Sequence, residues 1–326
     1  SFALFALMSL SAGGGAVMAE PGPDAPMVEQ RPHKVTAPFG ATRIDPYYWL
    51  RDDSRTDPEI LAGLEAENEY TDQMMAPLEP LKASILQEIS GRVAPEDSSV
   101  PYAKGGYYYH ERFEPGQDYP VVARWAEASP GKEEIMLDQP KMAVGSGYFE
   151  IGDYQVSPDN KLLAYAEDRV GRRQYALKVR DLQTGQDLDD NVGNIEAGLV
   201  WAGDSRRIFY IDKDPVTLLS KRVKMHILGS DAATDKLVYE EVDDSFYMEL
   251  QKTADGKFIC IFMRSTVSNE ARCAPSDNPE EFAVIAERDR GFQYDVDHIG
   301  DHWVIRTNWG APNYKLVRVS DDDIAG

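Results

Sequence analysis

Serine and histidine are the first residues to consider for chemistry, because a serine hydrolase needs a Ser nucleophile and a His base on one scaffold. Such a nucleophile commonly lies in a Gly-x-Ser-x-Gly turn, where the two glycines permit a strained backbone. Ser146 lies between Gly145 and Gly147, but Val144 and Tyr148 occupy the positions where that turn needs glycine. We therefore interpret Ser146 as a loop serine and predict no catalytic residue in this chain.

Two of the five histidines could bind a metal ion. His298 and His302 are four residues apart and have three aspartates beside them, namely Asp295, Asp297 and Asp301. On a helix this spacing would place both imidazoles on one face. The local pattern is instead typical of strand, turn and strand. We therefore predict a hairpin here, and neither a metal nor a cofactor site in the chain.

The two cysteines could form a disulfide bond. A hairpin that turns at Thr266 and Val267 would place Cys260 directly opposite Cys273, at a Cα separation that a disulfide can bridge. A register slipped by one residue would point them to opposite faces. The sequence leaves open a disulfide, two small buried neighbours, or cysteines that do not meet.

The chain is strongly acidic. It has 34 Lys and Arg against 56 Asp and Glu, which gives a net charge of −22 in an otherwise ordinary globular composition. This charge repels phosphate backbones and so disfavours nucleic acid as a partner, whereas it attracts cationic peptides. The densest acidic runs, at 187–190, 243–244 and 321–323, are interpreted as solvated loops, or as a source of that attractive field.

Residues 1–19 are typical of a signal peptide that lacks its start. A short apolar run at 2–8 leads to Val17 and Ala19, which match the small or β-branched and alanine positions of a cleavage site. The run is too short to span a bilayer, and no other segment approaches that length. We therefore expect an exported protein, periplasmic or secreted, with no membrane association after cleavage.

Residues 20–99 are predicted to form an extended arm and a short helical segment. Residues 21–38 are rich in proline, and Thr56-Asp57-Pro58-Glu59 is a helix start, with a capping side chain and proline in the first turn. Apolar residues then recur at helical spacing until Gly91. These features predict a helical hairpin of about thirty residues, too small to fold alone and in need of a surface to cover.

From residue 100 onward the apolar period changes to two, and the chain repeats. Turns with a central aspartate, at positions 159, 204, 255 and 301, recur at intervals of 45, 51 and 46 residues between strand-like runs. A repeat of this length with up to four strands is typical of a β-propeller blade. We predict five copies, near 100–140, 154–190, 199–241, 248–287 and 294–320. The fifth stops after its third strand and leaves an open edge, so we expect a truncated chain.

Four segments resemble the prolyl oligopeptidase family in its oligopeptidase B form. They are residues 43–53 (RIDPYYWLRDD), 166–175 (AEDRVGRRQY), 214–219 (DPVTLL) and 239–244 (YEEVDD), and the similarity extends from about 32 to 319. The resemblance implies a seven-bladed propeller followed in sequence by an α/β-hydrolase domain that carries Ser, Asp and His. It also implies that the N-terminal helical segment packs on the hydrolase domain.

The fold class predicted from the repeats and the resemblance is mainly β, an incomplete propeller of about five of seven blades in residues 100–326. The function implied is that of a serine peptidase that hydrolyses short peptides after Lys or Arg, with the propeller as lid and size filter. The partners would be short basic peptides and the protein's own hydrolase domain. Glu167, Asp168, Arg172 and Arg173 could form ion pairs across the domain interface or within one blade.

Two alternatives remain open at this stage. One is a prolyl-specific oligopeptidase, which fits the segments 43–53 and 166–175 less well. The other is a degenerate propeller that binds a partner and has no catalytic activity.

The missing nucleophile generates the first prediction. Because residues 1–326 hold no Gly-x-Ser-x-Gly turn, we expect this polypeptide, expressed alone, to leave an arginyl-amide reporter intact in a fluorimetric assay. Hydrolysis by a purified sample that a serine-directed inhibitor abolishes would contradict the prediction.

Overall fold

The computed structural model describes residues 22–324. The predicted signal peptide, residues 1–19, lies outside this range. The chain divides into two compact units, with the boundary between Ala94 and Pro95. No helix among the described residues is both long enough and apolar enough to cross a bilayer.

The N-terminal unit begins with an extended arm that is anchored by aromatic side chains. Strands β1 (His33–Thr36) and β2 (Thr42–Asp45) pair antiparallel. The Trp49 indole N–H donates to the carbonyl of Glu29 at 3.0 Å, and the Arg31 guanidinium lies 3.9 Å from the centre of the Trp49 ring. The aromatic side chains therefore hold the arm against the segment that leads into the helices.

Two helices follow, α1 (Pro58–Met75) and α2 (Glu79–Ser90). The Asp57 carboxylate caps α1 by accepting the main-chain N–H of Glu59 at 2.9 Å, and α2 ends before Gly91, so the predicted start and stop are confirmed. The predicted hairpin is wrong. A single 3-10 turn, Ala76–Leu78, joins the helices with backbone angles that remain right-handed and helical, so the chain does not reverse and the helices do not pack face to face.

The helices leave their apolar side chains exposed. No residue of α1 or α2 is buried. The large apolar side chains left exposed on them and on the turn between them are Leu61, Leu64, Met74, Met75, Leu78, Leu81, Ile85, Leu86 and Ile89. Within the described residues the apolar surface predicted from the sequence therefore exists but is uncovered.

The C-terminal unit is built almost entirely from antiparallel strands, which confirms the mainly β class. One short helix, α3 (Gln139–Met142), joins its first two sheets. The strands are β3 (Asp97–Ser98), β4 (Tyr102–Lys104), β5 (Tyr107–Phe113), β6 (Val121–Ala126), β7 (Glu134–Asp138), β8 (Glu150–Val156), β9 (Leu162–Asp168), β10 (Tyr175–Asp181), β11 (Asp187–Trp201), β12 (Arg207–Lys213), β13 (Ser220–Ile227), β14 (Lys236–Glu240), β15 (Tyr247–Lys252), β16 (Phe258–Arg264), β17 (Asn269–Pro275), β18 (Ala283–Ala286), β19 (Tyr294–Ile299), β20 (His302–Thr307) and β21 (Lys315–Ser320).

These strands form four sheets in chain order. The first has the order β3-β5-β6-β7 with β4 also paired to β5, the second runs from β8 to β14, the third from β15 to β18, and the fourth from β19 to β21. From β5 to β7, and throughout the other three sheets, strands that are neighbours in sequence are neighbours in space, whereas β3 and β4 both pair with β5. This up-and-down connectivity is the one that propeller blades use.

The repeated aspartates act on their own turns. Asp159, Asp204 and Asp255 each accept a hydrogen bond from the main-chain N–H two residues further on, at 3.2, 3.0 and 3.1 Å respectively. In the fourth turn, the Asp301 carboxylate instead meets the His302 imidazole at 2.9 Å. The predicted turns are confirmed, and in the first three the aspartate carboxylate satisfies turn amides that the strands cannot reach.

The second sheet joins two predicted repeats, 154–190 and 199–241, which the sequence analysis treats as separate. Strand β11 continues for 15 residues. Its first part pairs with β10 and its last part with β12, with a register shift between Ile195 and Leu199. Asn194 has a positive φ of 59°, which bends the strand without ending it, as in a β-bulge. The prediction of a break is therefore wrong at this boundary.

Apolar side chains fill the spaces between neighbouring sheets. Phe209 and Ile211 of β12 share one buried cluster with Ile259 and Ile261 of β16. Further clusters join the first sheet to the second and the third sheet to the fourth. Each sheet therefore buries its apolar surface against the next one along the chain.

The hairpin β16–β17 contains the disulfide bond that the sequence permits. Cys260 lies opposite Cys273 in the register expected for a turn at Thr266 and Val267, and their sulfur atoms are bonded. Their Cα atoms are 4.1 Å apart, and both residues are buried. The predicted proximity is confirmed.

The second prediction concerns this bond. Because it closes a loop with a sequence separation of 13, replacing both cysteines by alanine should lower the free energy of unfolding by about 3 kcal/mol. Denaturant titration of the double variant against the oxidised parent measures the change. Two titratable thiols in the parent protein, unfolded without reductant, would contradict it.

Candidate functional site along the inner strands

A cavity of about 790 Å³ lies between the first strands of successive repeats. Its wall comes from β4, the second half of β8, the end of β11 and the end of β15 with the turns that follow them, together with Tyr109 of β5 and Ser276 and Asp277 after β17. The volume falls within the range of about 300 to 1,000 Å³ that small-molecule sites occupy. The cavity is therefore large enough for a small organic ligand or a short peptide.

Asp153 and Trp201 join neighbouring strands of the wall. The Asp153 carboxylate accepts the main-chain N–H of Leu199 at 3.0 Å, and the Trp201 indole N–H donates to the carbonyl of Gln155 at 2.8 Å. Burial raises the pKa of Asp153 above its ordinary value, although hydrogen bonds to its carboxylate oppose this. These bonds fix β8 against β11 and hold this side of the cavity.

Tyrosines form another part of the wall. The Tyr154 hydroxyl donates to the Glu111 carboxylate at 2.7 Å. Burial, and this hydrogen bond, raise the pKa of Tyr154 well above its ordinary value, so the phenol stays neutral and its proton is committed to Glu111. Tyr102 stacks on Tyr109 with their ring centres 5.4 Å apart. The tyrosines therefore shape this part of the cavity wall.

Lys104 and Lys252 also line the cavity. Neither ammonium group makes a salt bridge or a hydrogen bond within residues 22–324. Burial lowers the pKa of Lys252, the positive charge of Lys104 lowers it further, and the charge of Asp277 acts in the opposite direction. The cavity therefore carries two lysines that have no ion-pair partner within residues 22–324, although the charge of Asp277 acts on Lys252 and the charge of Lys104 acts on Asp153 from a longer distance.

The histidines serve structural contacts. Four of them meet carboxylates: His110 meets Glu133, His226 meets Asp190 and Asp235, His298 meets Asp255 and Asp321, and His302 meets Asp301. The fifth, His33, stacks on Tyr48. Among the described residues, no serine hydroxyl contacts an imidazole.

Ser146 lies in a loop, as predicted, where its hydroxyl accepts a hydrogen bond from the Arg169 guanidinium at 2.6 Å. His298 and His302 belong to the predicted hairpin, β19–β20. His298 is paired with Trp303 and His302 with Ile299, so the two imidazoles lie on opposite faces of the sheet. Residues 22–324 contain no group of three His, Cys, Asp or Glu side chains suited to a metal ion.

The four residues predicted for a domain interface lie at the end of β9 and in the turn that leads to β10. Glu167 pairs with Arg169 at 2.9 Å. Arg172 and Arg173 are exposed, and Arg173 has a positive φ of 52°. The carbonyl of Arg173 accepts a hydrogen bond from the Lys213 ammonium at 2.9 Å. The described structure does not gather the four charges into one ion-pair network.

Asp168 has a local role that the sequence analysis missed. It is buried, and its carboxylate accepts the main-chain N–H groups of Val170, Gly171 and Arg173 at 2.7, 3.0 and 2.8 Å. The carboxylate therefore holds the whole turn in shape. The signal in the sequence is an aspartate that precedes a glycine-containing turn, which favours such side-chain to main-chain bonds.

The third prediction follows from these bonds. Asp168→Ala leaves three amides without their acceptor and should lower the free energy of unfolding by about 2 kcal/mol. Asp168→Asn keeps one oxygen acceptor, so its free energy of unfolding should fall by less than that of Asp168→Ala. Glu167→Ala removes one ion pair and should cost less than about 1 kcal/mol. Thermal or denaturant unfolding of the three variants would contradict this order if Asp168→Ala were as stable as the parent.

The comparison with known families identifies the chain. Residues 26–325 match the model for the prolyl oligopeptidase N-terminal β-propeller domain. The chain therefore belongs to this family.

Two curated relatives are similar over most of the chain. Dipeptidyl aminopeptidase BI of Pseudoxanthomonas mexicana is 50% identical, with 91% of this chain and 43% of that protein aligned. Protease 2 of Moraxella lacunata is 33% identical, with 92% of this chain and 44% of that protein aligned. The chain thus spans less than half the length of these relatives.

Solved structures give the same assignment. Oligopeptidase B from Leishmania major superposes with a TM-score of 0.87 at 27% identity, over 93% of this chain and 45% of that one. Oligopeptidase B from Trypanosoma brucei, in a closed form with covalently bound antipain, gives a TM-score of 0.84 at 27% identity. The match covers 92% of this chain and 45% of that one. The resemblance to the oligopeptidase B branch is confirmed.

Proposed function

We propose that this chain is the propeller part of an oligopeptidase B-like serine peptidase that hydrolyses short peptides after Lys or Arg. The observation that carries the proposal is the family match over residues 26–325. The catalytic Ser, Asp and His would come from an α/β-hydrolase domain. The net charge of −22 supports basic peptides as substrates, since an acidic surface raises their local concentration.

In this proposal the propeller acts as lid and size filter. A cavity of about 790 Å³ at the inner strands has room for a short peptide and none for a folded protein. Four sheets are described in the C-terminal unit, and we propose that they correspond to five blades of a ring of seven, with the second and third blades sharing β11. The exposed apolar residues of α1 and α2 would pack on the hydrolase domain.

The turn between β9 and β10 is proposed as part of the interface with that domain. Arg172 and Arg173 are exposed there, so their charges are free to meet carboxylates of a second domain. The role of Asp168 in this interface would be indirect, because its carboxylate holds the turn that carries both arginines. Glu167 is already engaged by Arg169 and would contribute through that pair.

Export to the periplasm or the medium is proposed as well. The Cys260–Cys273 bond supports it, because disulfides persist in oxidising compartments and are rare in the cytosol.

A dipeptidyl aminopeptidase is the second candidate. It is favoured by the 50% identity to dipeptidyl aminopeptidase BI. Such an enzyme would need the free amino terminus of its substrate, whereas an endopeptidase accepts a blocked one. The two candidates therefore differ in a property that a substrate pair can measure.

The fourth prediction tests both candidates on the full-length protein that contains this chain. An endopeptidase of the proposed specificity should hydrolyse an N-blocked arginyl-amide and its lysyl counterpart, and hardly a prolyl one. Turnover of only the dipeptidyl reporter with a free amino terminus would favour the second candidate. No serine-inhibitor-sensitive turnover of any reporter would reject both and favour a binding module.

A further inference from the structure

Lys104 and Lys252 occupy corresponding places in two repeats. Lys104 is the last residue of β4, and the turn at Gly105 and Gly106 follows it. Lys252 is the last residue of β15, and the turn at Asp255 follows it. Because inner strands of successive repeats converge, residues at this position face the common cavity, and both lysines line it.

The carboxylates of the wall are largely committed to other donors. Asp153 accepts main-chain N–H groups and the Gln155 amide. Asp255 accepts from the Thr253 hydroxyl and contacts the His298 imidazole at 2.7 Å. Asp277 is the remaining acid, and it makes no salt bridge with either lysine within residues 22–324. The two ammonium groups therefore keep their hydrogen-bonding capacity.

Without a ligand this arrangement is costly for Lys252, whereas Lys104 is exposed to solvent. Lys252 is half-buried, and removing an ammonium group from water disfavours its charge unless an opposite charge compensates. Burial, and then the charge of Lys104, lower the pKa of Lys252. This lower pKa reflects the free-energy cost of keeping the ammonium group charged in the cavity. An anion between the lysines would offset both effects, because a nearby opposite charge favours the charged form of an ammonium group.

The net charge limits which anions can reach this cavity. At −22 the surface repels simple anions. A basic peptide is attracted as a whole and still carries one carboxylate, at its C-terminus. The cavity volume is compatible with the end of such a peptide.

We propose that Lys104 and Lys252 form an anion-binding site that takes the free C-terminal carboxylate of a short basic peptide inside the propeller cavity. This inference rests on the proposal that such peptides are the substrates. It adds a contact point for the peptide on residues of the propeller itself. It favours short peptides, because only the end of a chain carries the recognised group.

The fifth prediction uses the full-length protein with its active-site serine blocked by a covalent serine-directed inhibitor, so that the catalytic site is filled. Calorimetry compares the tetrapeptide Ala-Arg-Gly-Ala as the free acid and as the C-terminal amide. The acid should bind about tenfold more tightly, since a charge-assisted pair is lost in the amide. The Lys252→Met variant should bind the free acid about tenfold more weakly than the parent does, and its affinity for the amide should be unchanged.

Variants separate the site from a general effect of charge. Lys104→Ala should lower the affinity for the free acid as Lys252→Met does. Lys252→Arg should retain most of that affinity, because arginine keeps the positive charge. Lys132→Ala removes an exposed lysine outside the cavity and should have no effect. Circular dichroism and thermal unfolding establish that each variant is folded.

Equal affinity for acid and amide, or equal losses in the Lys132 and Lys252 variants, would overturn the inference. The peptidase proposal is tested separately, because the arginyl-amide reporters have no carboxylate. If the reporters are not cleaved and the inhibitor does not react, the acid and amide comparison still measures the lysine site.

Discussion

Apolar packing between successive sheets is the constraint on which the C-terminal unit depends. A sheet of three or four strands has two faces, and each face that carries apolar side chains must be covered. The second sheet covers part of the third through Phe209 and Ile259, and the third covers part of the fourth through Phe262 and Trp303. Because every sheet is placed by its neighbour, the inner strands converge. The cavity, its two lysines and the turns around it take their positions from this packing.

Local chemistry explains which parts of the fold can be predicted from the sequence. Helix α1 starts at its Asp57 cap because a single side chain satisfies the first free amides. The four turns are visible because an aspartate at each binds groups within two residues of itself. The opposition of Cys260 and Cys273 follows from the position of one turn. Each of these features is decided by residues that are close in sequence, and the family resemblance adds the order in which the repeats are joined.

Features decided by distant contacts escape the same reasoning. The run of extended residues through β11 resembles two strands, since nothing in the sequence shows that β10 and β12 pair with one continuous strand. The prolines near residue 77 suggest a chain reversal, yet they occupy helix starts, where proline is tolerated. Lys104 and Lys252 are ordinary polar residues in sequence and become a pair only when the inner strands meet. Asp168 is predicted from the sequence to form an ion pair, because its three amide partners lie in a turn whose shape is not apparent before folding.

The continuity of β11 has a mechanical consequence. Its main chain is hydrogen-bonded to β10 along one part and to β12 along another, so a covalent backbone crosses the boundary between two repeats. Elsewhere in this unit, neighbouring repeats meet through side chains and loops. Sliding two surfaces of packed side chains past each other costs less free energy than breaking a row of main-chain hydrogen bonds. We therefore expect the sheet from β8 to β14 to move as one rigid unit, and any widening of the cavity to take place at its boundaries with the first and third sheets.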